Sequence, residues 1–389
     1  MKITEVKSHI LQYDLKEELG YSQQYYQKRT GHLVEVVTDE GITGWGECFG
    51  PGNVAIANKV IVERVIQPMI LGEDPLNRDV LWHRVYNLLR DHGQKGMPIQ
   101  ALSGVDIALW DILGKVTGLS ISKLIGGRFR EQVPVYGYGM MLRREKLPVL
   151  KNLFEDEAAA IKSAGFVATK MKVGLGPKQD VQLAEAVRRG VGDDFPFMVD
   201  ANHCYTVDQA LYVGRALEEL EAYWFEEPVA PEDLMGYQEL RTQLKINIAG
   251  GEAEFTRWGW RNLLEKRCLD IAQPEVCALG GISEYLRVLA LAQAHFTQVI
   301  NHVWGSAVAV ATNLQLLAAI PPLPGGIHPQ EPMLEFDTTD NKFRDDLLTE
   351  PLNIQHQVAK NGGHVPIPDV PGHGAEPNRE FLEYFALEV

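Results

Sequence analysis

The chain has 389 residues, of which 45% are hydrophobic and 23% are charged, as is typical of a folded protein with a sizeable core. It carries 37 Lys and Arg against 52 Asp and Glu, and the net charge of −15 argues against binding to nucleic acid or to an anionic membrane. The four dispersed cysteines form no CxxC pair, which argues against a disulfide scaffold and a structural zinc site.

The N-terminus and the apolar runs bear on where the protein works. No apolar run reaches the roughly 18 residues of a membrane span. The first ten residues, MKITEVKSHI, lack the apolar core of a signal peptide. We therefore expect no membrane association and a cytoplasmic location.

The first part of the chain mixes strands and helices. The stretch HLVEVVTDEGITGWGE (32–47) predicts a hairpin, because apolar residues alternate on both sides of the turn signal DEG. Residues 53–125 show the apolar spacing of helices, and residues 125–135 have the composition of a linker.

From residue 134 onward, short strand patterns alternate with amphipathic helical patterns. This alternation predicts a (β/α)8-type barrel of parallel strands. After residue 350 the chain becomes rich in Pro and Gly, and we expect this tail to return to the N-terminal part. The eight strand stretches are VPVYGYG, ATKMKV, FPFMVDAN, AYWFEEP, INIAGGE, LDIAQPE, QVINHVWG and EPMLEFD.

Charged or titratable residues stand at the carboxyl ends of seven of these strands, where barrel enzymes place their chemistry. The steps 172→200→226→252→275→302 are 28, 26, 26, 23 and 27 residues, close to one strand–helix unit each. Scattered surface charge would not recur at that spacing. The residues are Lys170 and Lys172, Asp200 and Asn202, Glu226 and Glu227, Glu252, Glu275, His302 and Glu335.

Three successive strands end in VDAN, FEEP and GGE, which would bring Asp200, Glu226 and Glu252 together. Converging carboxylates repel one another unless a cation lies between them, and an all-oxygen set suits Mg²⁺ or Mn²⁺. Glu227 follows Glu226 directly and should point the other way, so we interpret it as structural. Asn202 either orients a group of the site or caps the following helix.

Lys170 and Lys172 share one face of their strand, with Met171 and Val173 on the other. A divalent ion beside two lysines and a histidine favours abstraction of a proton next to a carboxylate. We expect Lys172 to be the base, with its pKa lowered by the neighbouring ammonium of Lys170 together with the metal ion. Lys170 would contact the substrate carboxylate.

These motifs together resemble the enolase superfamily, and within it the mandelate racemase subgroup. The resemblance covers essentially the whole chain, including GWGE and SGVDIALWDILGK in the N-terminal part. It implies an α+β capping domain over residues 1–130, a modified (β/α)7β barrel over 131–350 and a C-terminal segment, 351–389, that returns to the capping domain. Loops of the capping domain, residues 15–30 and 48–54, would close the site.

The resemblance also implies roles for individual residues. Asp200, Glu226 and Glu252 would bind Mg²⁺, Lys172 and His302 would act as acid and base on opposite faces of the substrate carbon, and Glu335 would bond the substrate carboxylate. The subgroup pairs its histidine with an aspartate in QPD, whereas this chain reads QPE, so the partner of His302 would be Glu275. Substrate hydroxyls would meet Tyr21, Tyr25 and Tyr26.

A finer similarity, to acid-sugar cycloisomerases, implies the reaction. The α-proton of a galactarolactone or a 3,6-anhydro-galactonate would be removed, the β ring oxygen would leave, and a 2-keto-3-deoxy acid would form. A sugar-acid dehydratase, a racemase or epimerase of a 2-hydroxy acid, and a scaffold protein without catalysis are the alternatives. Retention of every strand-end group disfavours the scaffold. We expect a small sugar acid as the partner and a homo-oligomer.

Overall fold

The computed structural model describes residues 1–388. It begins with an antiparallel sheet of three strands, and the hairpin predicted over 32–47 is confirmed as the β2–β3 pair. The expectation of a loop over residues 15–30 is wrong, because most of them belong to the long β1–β2 hairpin, whose turn is Ser22–Gln23. A register shift between Asp14 and Leu19 interrupts the alternation that would have predicted this hairpin. The strands are β1 (Ile3–Tyr21), β2 (Gln24–Thr38) and β3 (Thr43–Glu47).

Helices follow over the region predicted to be helical, with breaks at Gly and Pro residues. The longest helix packs on β3 so closely that a Cβ atom on Gly46 would lie 1.9 Å from the carbonyl oxygen of Gly104. Within residues 1–388, no helix combines the length and the apolar character needed to cross a membrane. The helices are α1 (Val54–Val60), which continues as a π-helical turn (Ile61–Ile66), α2 (Gln67–Ile70), α3 (Arg78–Leu89), α4 (Met97–Thr117) and α5 (Ile121–Leu124).

Eight parallel strands then form the barrel. Seven lie within a stretch predicted from the sequence, and β4 extends one residue beyond its predicted stretch at each end. Consecutive strands pair from β4 to β10, and β11 returns to pair with β4. The strands are β4 (Gln132–Met140), β5 (Ala168–Lys172), β6 (Phe197–Asp200), β7 (Trp224–Glu226), β8 (Asn247–Gly250), β9 (Ile271–Ala272), β10 (Gln298–Val299) and β11 (Leu334–Asp337).

Seven helices connect these strands in the order of a (β/α)7β barrel. Each has an apolar side that packs around the barrel, in the cluster of buried residues that forms the main core. The helices are α6 (Leu147–Ser163), α7 (Pro177–Val191), α8 (Val207–Glu219), α9 (Leu234–Gln243), α10 (Thr256–Glu265), α11 (Gly281–Ala294) and α12 (Ala307–Ala319).

The C-terminal tail contacts both the barrel and the N-terminal sheet. Strand β12 pairs antiparallel with the start of β4. Arg379 donates hydrogen bonds of 2.6 and 2.8 Å to Glu35, and the Leu387 amide donates to the Ile10 carbonyl at 2.8 Å. The exact domain boundaries at 130 and 350 stay predictions. The tail elements are α13 (Lys342–Asp345), α14 (Ile354–Lys360), β12 (His364–Pro366) and α15 (Arg379–Phe385).

The interior of the barrel is layered, and we call its apolar layer the floor. Side chains of seven strands meet there and are at most 1% exposed. Because side chains alternate along a strand, the residue two positions further on points into the same interior. The floor consists of Tyr136, Ala168, Met198, Trp224, Ala249, Ile271 and Ile300.

Candidate active site

The charged layer of the barrel follows directly from the floor by the period of two. On five strands the residue two positions after a floor residue is polar, and all five polar side chains are buried. On β8 the charged residue comes three positions after Ala249, because Gly251 bends the chain there with φ 119°. The five residues are Lys170, Asp200, Glu226, Gln273 and His302.

Asp200, Glu226 and Glu252 come together as the sequence predicts. One carboxylate oxygen of each lies within 4.8 Å of the others. One Glu252 oxygen has no hydrogen-bond partner although it is buried; His302 Nε2 is 3.0 Å away but outside hydrogen-bond geometry. Three converging carboxylates with a spare oxygen are a donor set that fits Mg²⁺.

Neighbouring groups hold two of these carboxylates in place. Glu226 accepts hydrogen bonds of 2.8 Å from the Trp224 indole and from the Gln273 side chain. Asp200 accepts one of 2.8 Å from the backbone amide of Asn202. Burial raises the pKa of Glu226 to about 7, against the opposing charge of Lys170. Gln273 was not among the predicted site residues, although it begins the QPE motif that supplies Glu275.

The two lysines are paired with carboxylates. Lys170 Nζ lies 2.6 Å from both Glu226 Oε1 and Glu335 Oε1, and Lys172 Nζ bonds Asp200. The lowering of the Lys172 pKa was expected with a metal ion bound, and it stays a prediction; the direction without the ion is upward. Burial and Lys170 do lower it, but the negative charge of Asp200, Glu252 and Glu226 outweighs them, so the pKa lies above its usual value.

His302 lies between two acids. Its Nδ1 is 2.8 Å from Glu275 Oε2, so the longer side chain still reaches the ring. Burial lowers the pKa of His302, but Glu252, Glu335 and Glu275 raise it to about 10. The charge of Glu252 makes the largest of these contributions to the raised pKa. Glu275 is itself fixed by a 2.8 Å hydrogen bond from the Cys277 amide.

Glu335 has both oxygens occupied. One accepts from Lys170, and the other accepts from the Val303 amide at 2.8 Å. Burial raises the pKa of Glu335, but the charges of Lys170 and His302 lower it by more, so the pKa lies below its usual value. An ionised Glu335 is an acceptor only, and here it orients Lys170. Its contact with a substrate carboxylate stays a prediction.

Asn202 does not cap the following helix, because Thr206 accepts from the Gln209 amide in that role. The side-chain Nδ2 of Asn202 instead lies 3.5 Å from Glu252 Oε1. Its backbone has φ 39°, and Glu227 has φ 41°, so the chain is strained where these strands end. Glu227 is buried with one oxygen unpartnered and its pKa raised well above the usual value, mainly by burial.

The hairpin of β1 and β2 reaches the site with its turn. Ser22 and Gln23 each donate a 2.9 Å hydrogen bond to the Asn202 carbonyl oxygen. The structure separates the three predicted tyrosines. Burial raises the pKa of Tyr26 to about 12, with Arg29, Asp337 and Lys172 also acting on it, whereas the Tyr25 ring lies under the Arg144 guanidinium, 4.2 Å away. The Tyr21 hydroxyl accepts from Gln24 at the exposed end of the hairpin.

Residues that the sequence did not single out also border the site. The Phe49 ring lies 6.0 Å from the rings of His302 and Trp304, and Phe49 falls in the predicted closing segment 48–54. Arg29 and Asp337 form a buried ion pair of 2.8 Å between β2 and β11. No spacing in the sequence indicates that pair, because its members are 308 residues apart.

A cavity of about 530 Å³ lies outside the barrel interior. It is bordered by the irregular part of β1 near Leu15 and Leu19, by Arg143 before α6 and by Glu157 within α6. None of the predicted catalytic residues lines this cavity, so its size alone does not mark it as the reaction site.

Two protein-family models match the chain. The N-terminal domain of mandelate racemase / muconate lactonizing enzyme matches residues 16–126, and the enolase C-terminal domain-like model matches residues 153–381. The chain belongs to the enolase superfamily. The expected architecture, a capping domain followed by an α/β barrel, is therefore confirmed.

Named members of the enolase superfamily resemble this chain over most of its length. A D-galactarolactone cycloisomerase from Agrobacterium fabrum is 41% identical, covering 100% of this chain and 99% of its own. An arabinonate dehydratase from Saccharolobus solfataricus is 34% identical, covering 87% and 86%. The crystal structure of a 3,6-anhydro-D-galactonate cycloisomerase from Zobellia galactanivorans has 34% identity and a TM-score of 0.88, covering 100% of both chains.

A further superfamily structure contains the metal. A racemase from Streptomyces coelicolor A3(2) was crystallised with bound magnesium; it is 29% identical, covers 99% of this chain and 100% of its own, and has a TM-score of 0.86. The chain is therefore an enzyme of a superfamily whose members include magnesium-binding proteins, sugar-acid cycloisomerases and sugar-acid dehydratases.

Proposed function

We propose that this enzyme is a Mg²⁺-dependent cycloisomerase of a galactarolactone or a 3,6-anhydro-galactonate. The observation that carries the proposal is the meeting of three carboxylate oxygens within 4.8 Å of one another, with the amine of Lys172 and the imidazole of His302 beside them. The 41% identity to a D-galactarolactone cycloisomerase over the full chain supports the substrate class.

Asp200, Glu226 and Glu252 would hold the metal ion. Bound there, Mg²⁺ would polarise the substrate carboxylate and stabilise the charge that builds up on its oxygens. Lys170 would add positive charge on the side of Glu335, which holds its ammonium 2.6 Å away.

Lys172 would take the α-proton. Asp200 and Glu252 are among the groups that raise its pKa, and their influence weakens when their charge is shared with a bound cation. The amine then becomes a stronger candidate for a base near neutral pH. Removal of the proton leaves an electron pair that forms the enol as the bond to the β ring oxygen breaks.

His302 would supply a proton as an acid. The ether oxygen of an anhydro-galactonate leaves as an alkoxide and needs that proton, whereas the ring oxygen of a lactone leaves as a carboxylate, and the proton then goes to C3 of the enol. A protonated His302 ring, held by Glu275 at 2.8 Å, can donate it in either case. The enol then tautomerises to a 2-keto-3-deoxy acid. Mass is conserved for the cyclic substrate, because the leaving oxygen stays attached to the product.

A sugar-acid dehydratase is the second candidate, and the 34% identity to an arabinonate dehydratase favours it. The same groups would act, with a free β-hydroxyl leaving as water. A racemase or epimerase would use Lys172 and His302 on opposite faces of the carbon without loss of any group.

The test is a screen of galactarolactone, anhydro-galactonates and open-chain aldonates and aldarates with MgCl₂, scored for 2-keto acid by a carbonyl reagent and by mass. A cycloisomerase gives a product of unchanged mass, and a dehydratase gives one lighter by one water. Exchange of the α-proton with deuterated solvent, without formation of keto acid, would instead indicate a racemase. A panel with neither exchange nor keto acid would contradict the proposal.

A further inference from the structure

Glu47, at the end of β3 in the capping domain, is a buried acid that reaches into the barrel. It is 3% exposed. Its carboxylate accepts hydrogen bonds from the Ser306 amide (2.8 Å), the Ser306 hydroxyl (2.6 Å) and the Ala309 amide (2.9 Å). These donors form the first turn of α12, so a carboxylate from another domain binds the N-terminus of this barrel helix.

The residues bound by Glu47 immediately follow the histidine of the site. Ser306 is four positions after His302, and the intervening Gly305 is so close to Glu47 that a Cβ atom on it would lie 2.7 Å from Glu47 Oε1. The segment between His302 and α12 therefore has little freedom while Glu47 is in place.

Phe49, two residues beyond Glu47, contacts the other side of the same pair. Its amide donates to the Cys277 carbonyl at 2.9 Å, and the Cys277 amide in turn donates to Glu275. The Phe49 ring stands edge-on to the His302 ring, with 6.0 Å between centroids and an angle of 75°. Between them, Cys48 is tied to β2 through the His32 carbonyl.

Residues 47–49 thus touch the segment of His302 at one end and the segment of Glu275 at the other. We propose that Glu47 is a positioning residue: through residues 47–49, the capping domain sets the geometry of the His302–Glu275 pair. The proposal rests on the acid–base role proposed above for His302, but the geometry it predicts can be measured without a substrate.

The test compares Glu47→Gln with Asp180→Asn. Gln keeps the shape of Glu47 but loses its charge and turns an amide NH2 group toward the backbone donors. Asp180 is the matched control, because it is a fully buried acid of α7 that accepts from the backbone amides of Gly174, Leu175 and Gly176 at 3.0 Å. It is bonded in a similar way, to a loop after β5 that contains neither His302 nor Glu275.

The first measurement is the ¹⁵N–¹H signal of the His302 ring in protein labelled at histidine, assigned by its loss in His302→Gln. We expect Glu47→Gln to shift the Nδ1–H signal and to speed its exchange with solvent, while Asp180→Asn leaves both unchanged. An unchanged signal in Glu47→Gln, or equal changes in the two variants, would overturn the proposal. If Glu47→Gln does not fold, Phe49→Leu takes its place with the same expectation and the same contrary result.

The second measurement uses whichever substrate the screen identifies. We expect kcat to fall by at least about tenfold in Glu47→Gln, because small misplacement of an acid–base group is costly, with KM changed by less than about threefold. A loss of stability without loss of kcat would contradict the positioning role. Failure of the screen itself would count against the proposed function alone, since the ring signal still reports on the geometry.

Discussion

Lys172 and His302 differ in how their polar atoms are partnered. The Lys172 amine bonds a single acid, Asp200, whereas the His302 ring has Glu275 on one nitrogen and Glu252 near the other. Removing a partner should therefore affect the two groups in different ways. Mutations of Lys172 and of Glu275 therefore test the role of the base and the role of the acid independently.

Lys172→Ala removes the proposed base. We expect kcat to fall by about 10³-fold, since a positioned acid–base group contributes roughly 10²- to 10⁴-fold. The control is Lys178→Ala at the exposed start of α7, for which we expect a change within about twofold. Initial rates and circular dichroism check both variants. Turnover of Lys172→Ala at the rate of the parent enzyme would remove Lys172 from the mechanism.

Glu275→Gln tests the acid that holds His302. The Glu275 hydrogen bond and charge both raise the pKa of the ring. The substitution should therefore lower that pKa and move the alkaline limb of the kcat profile, where His302 loses its proton, to lower pH. We expect kcat at about pH 8 to fall roughly 10²-fold. The pH–rate profiles of the two proteins check this. Superimposable profiles would mean that Glu275 does not act on His302.

A single residue of the site was predictable where its strand showed alternating side chains and a recognisable carboxyl end. Lys170, Asp200 and Glu226 follow from the alternation of side chains in recognisable strands. Gln273 follows the same alternation but is uncharged, so the series of charged strand ends passes over it. Glu47 could not be predicted, because a partner in another domain gives it its place. The raised pKa of Lys172 depends on the distances to three acids, which no sequence pattern contains.

The capping domain is built from elements that contact the barrel at their ends. The β1–β2 hairpin brings Ser22 and Gln23 to Asn202, and β3 brings Glu47 to α12. The eight barrel strands were predictable because each is a short apolar run between turn signals. The hairpin was not, since charged residues and a register shift interrupt its alternation.

The C-terminal helix gives a prediction at this scale. Burial raises the pKa of Glu35, but hydrogen bonds from His9 and Arg379 outweigh it and lower the pKa to about 2. A folded-state pKa below the unfolded value stabilises the protein above about pH 4.5, and that contribution is lost as the pH falls toward about 2. Protonation of Glu35 in acid removes its ion pair with Arg379, so α15 is then held less tightly to β2.

Arg379→Ala should cost on the order of 1 kcal/mol of unfolding free energy at about pH 7, discounted because Arg379 is 55% exposed. The difference from the parent should shrink as the pH falls below about 4.5. Urea unfolding at several pH values measures it, with the exposed Lys360→Ala as the control. A difference that stays constant down to about pH 2 would show that the ion pair contributes nothing.

The molecule as a whole gathers like charges at one end of the barrel. Asp200, Glu226 and Glu252 repel one another when no cation is bound, and the floor beneath them excludes solvent. The folded protein should therefore gain stability from a divalent ion that the unfolded chain binds weakly.

Addition of MgCl₂ to protein treated with a chelator should raise Tm, by an amount that corresponds to about 2.7 kcal/mol at a hundred times Kd. The variant Glu252→Gln, which removes one carboxylate, should show a smaller rise, and KCl at equal ionic strength serves as the control. Differential scanning fluorimetry measures all three. Equal shifts with MgCl₂ and KCl would show a general salt effect and argue against the metal centre.

The apolar floor closes one end of the barrel interior, because Tyr136, Trp224 and their neighbours are fully buried there. The hairpin turn and residues 47–49 lie at the other end, beside Asn202 and His302. We expect substrate and product to use that end and to compete for the same binding position. Product should accordingly act as a competitive inhibitor, and the enzyme should slow as its own product accumulates.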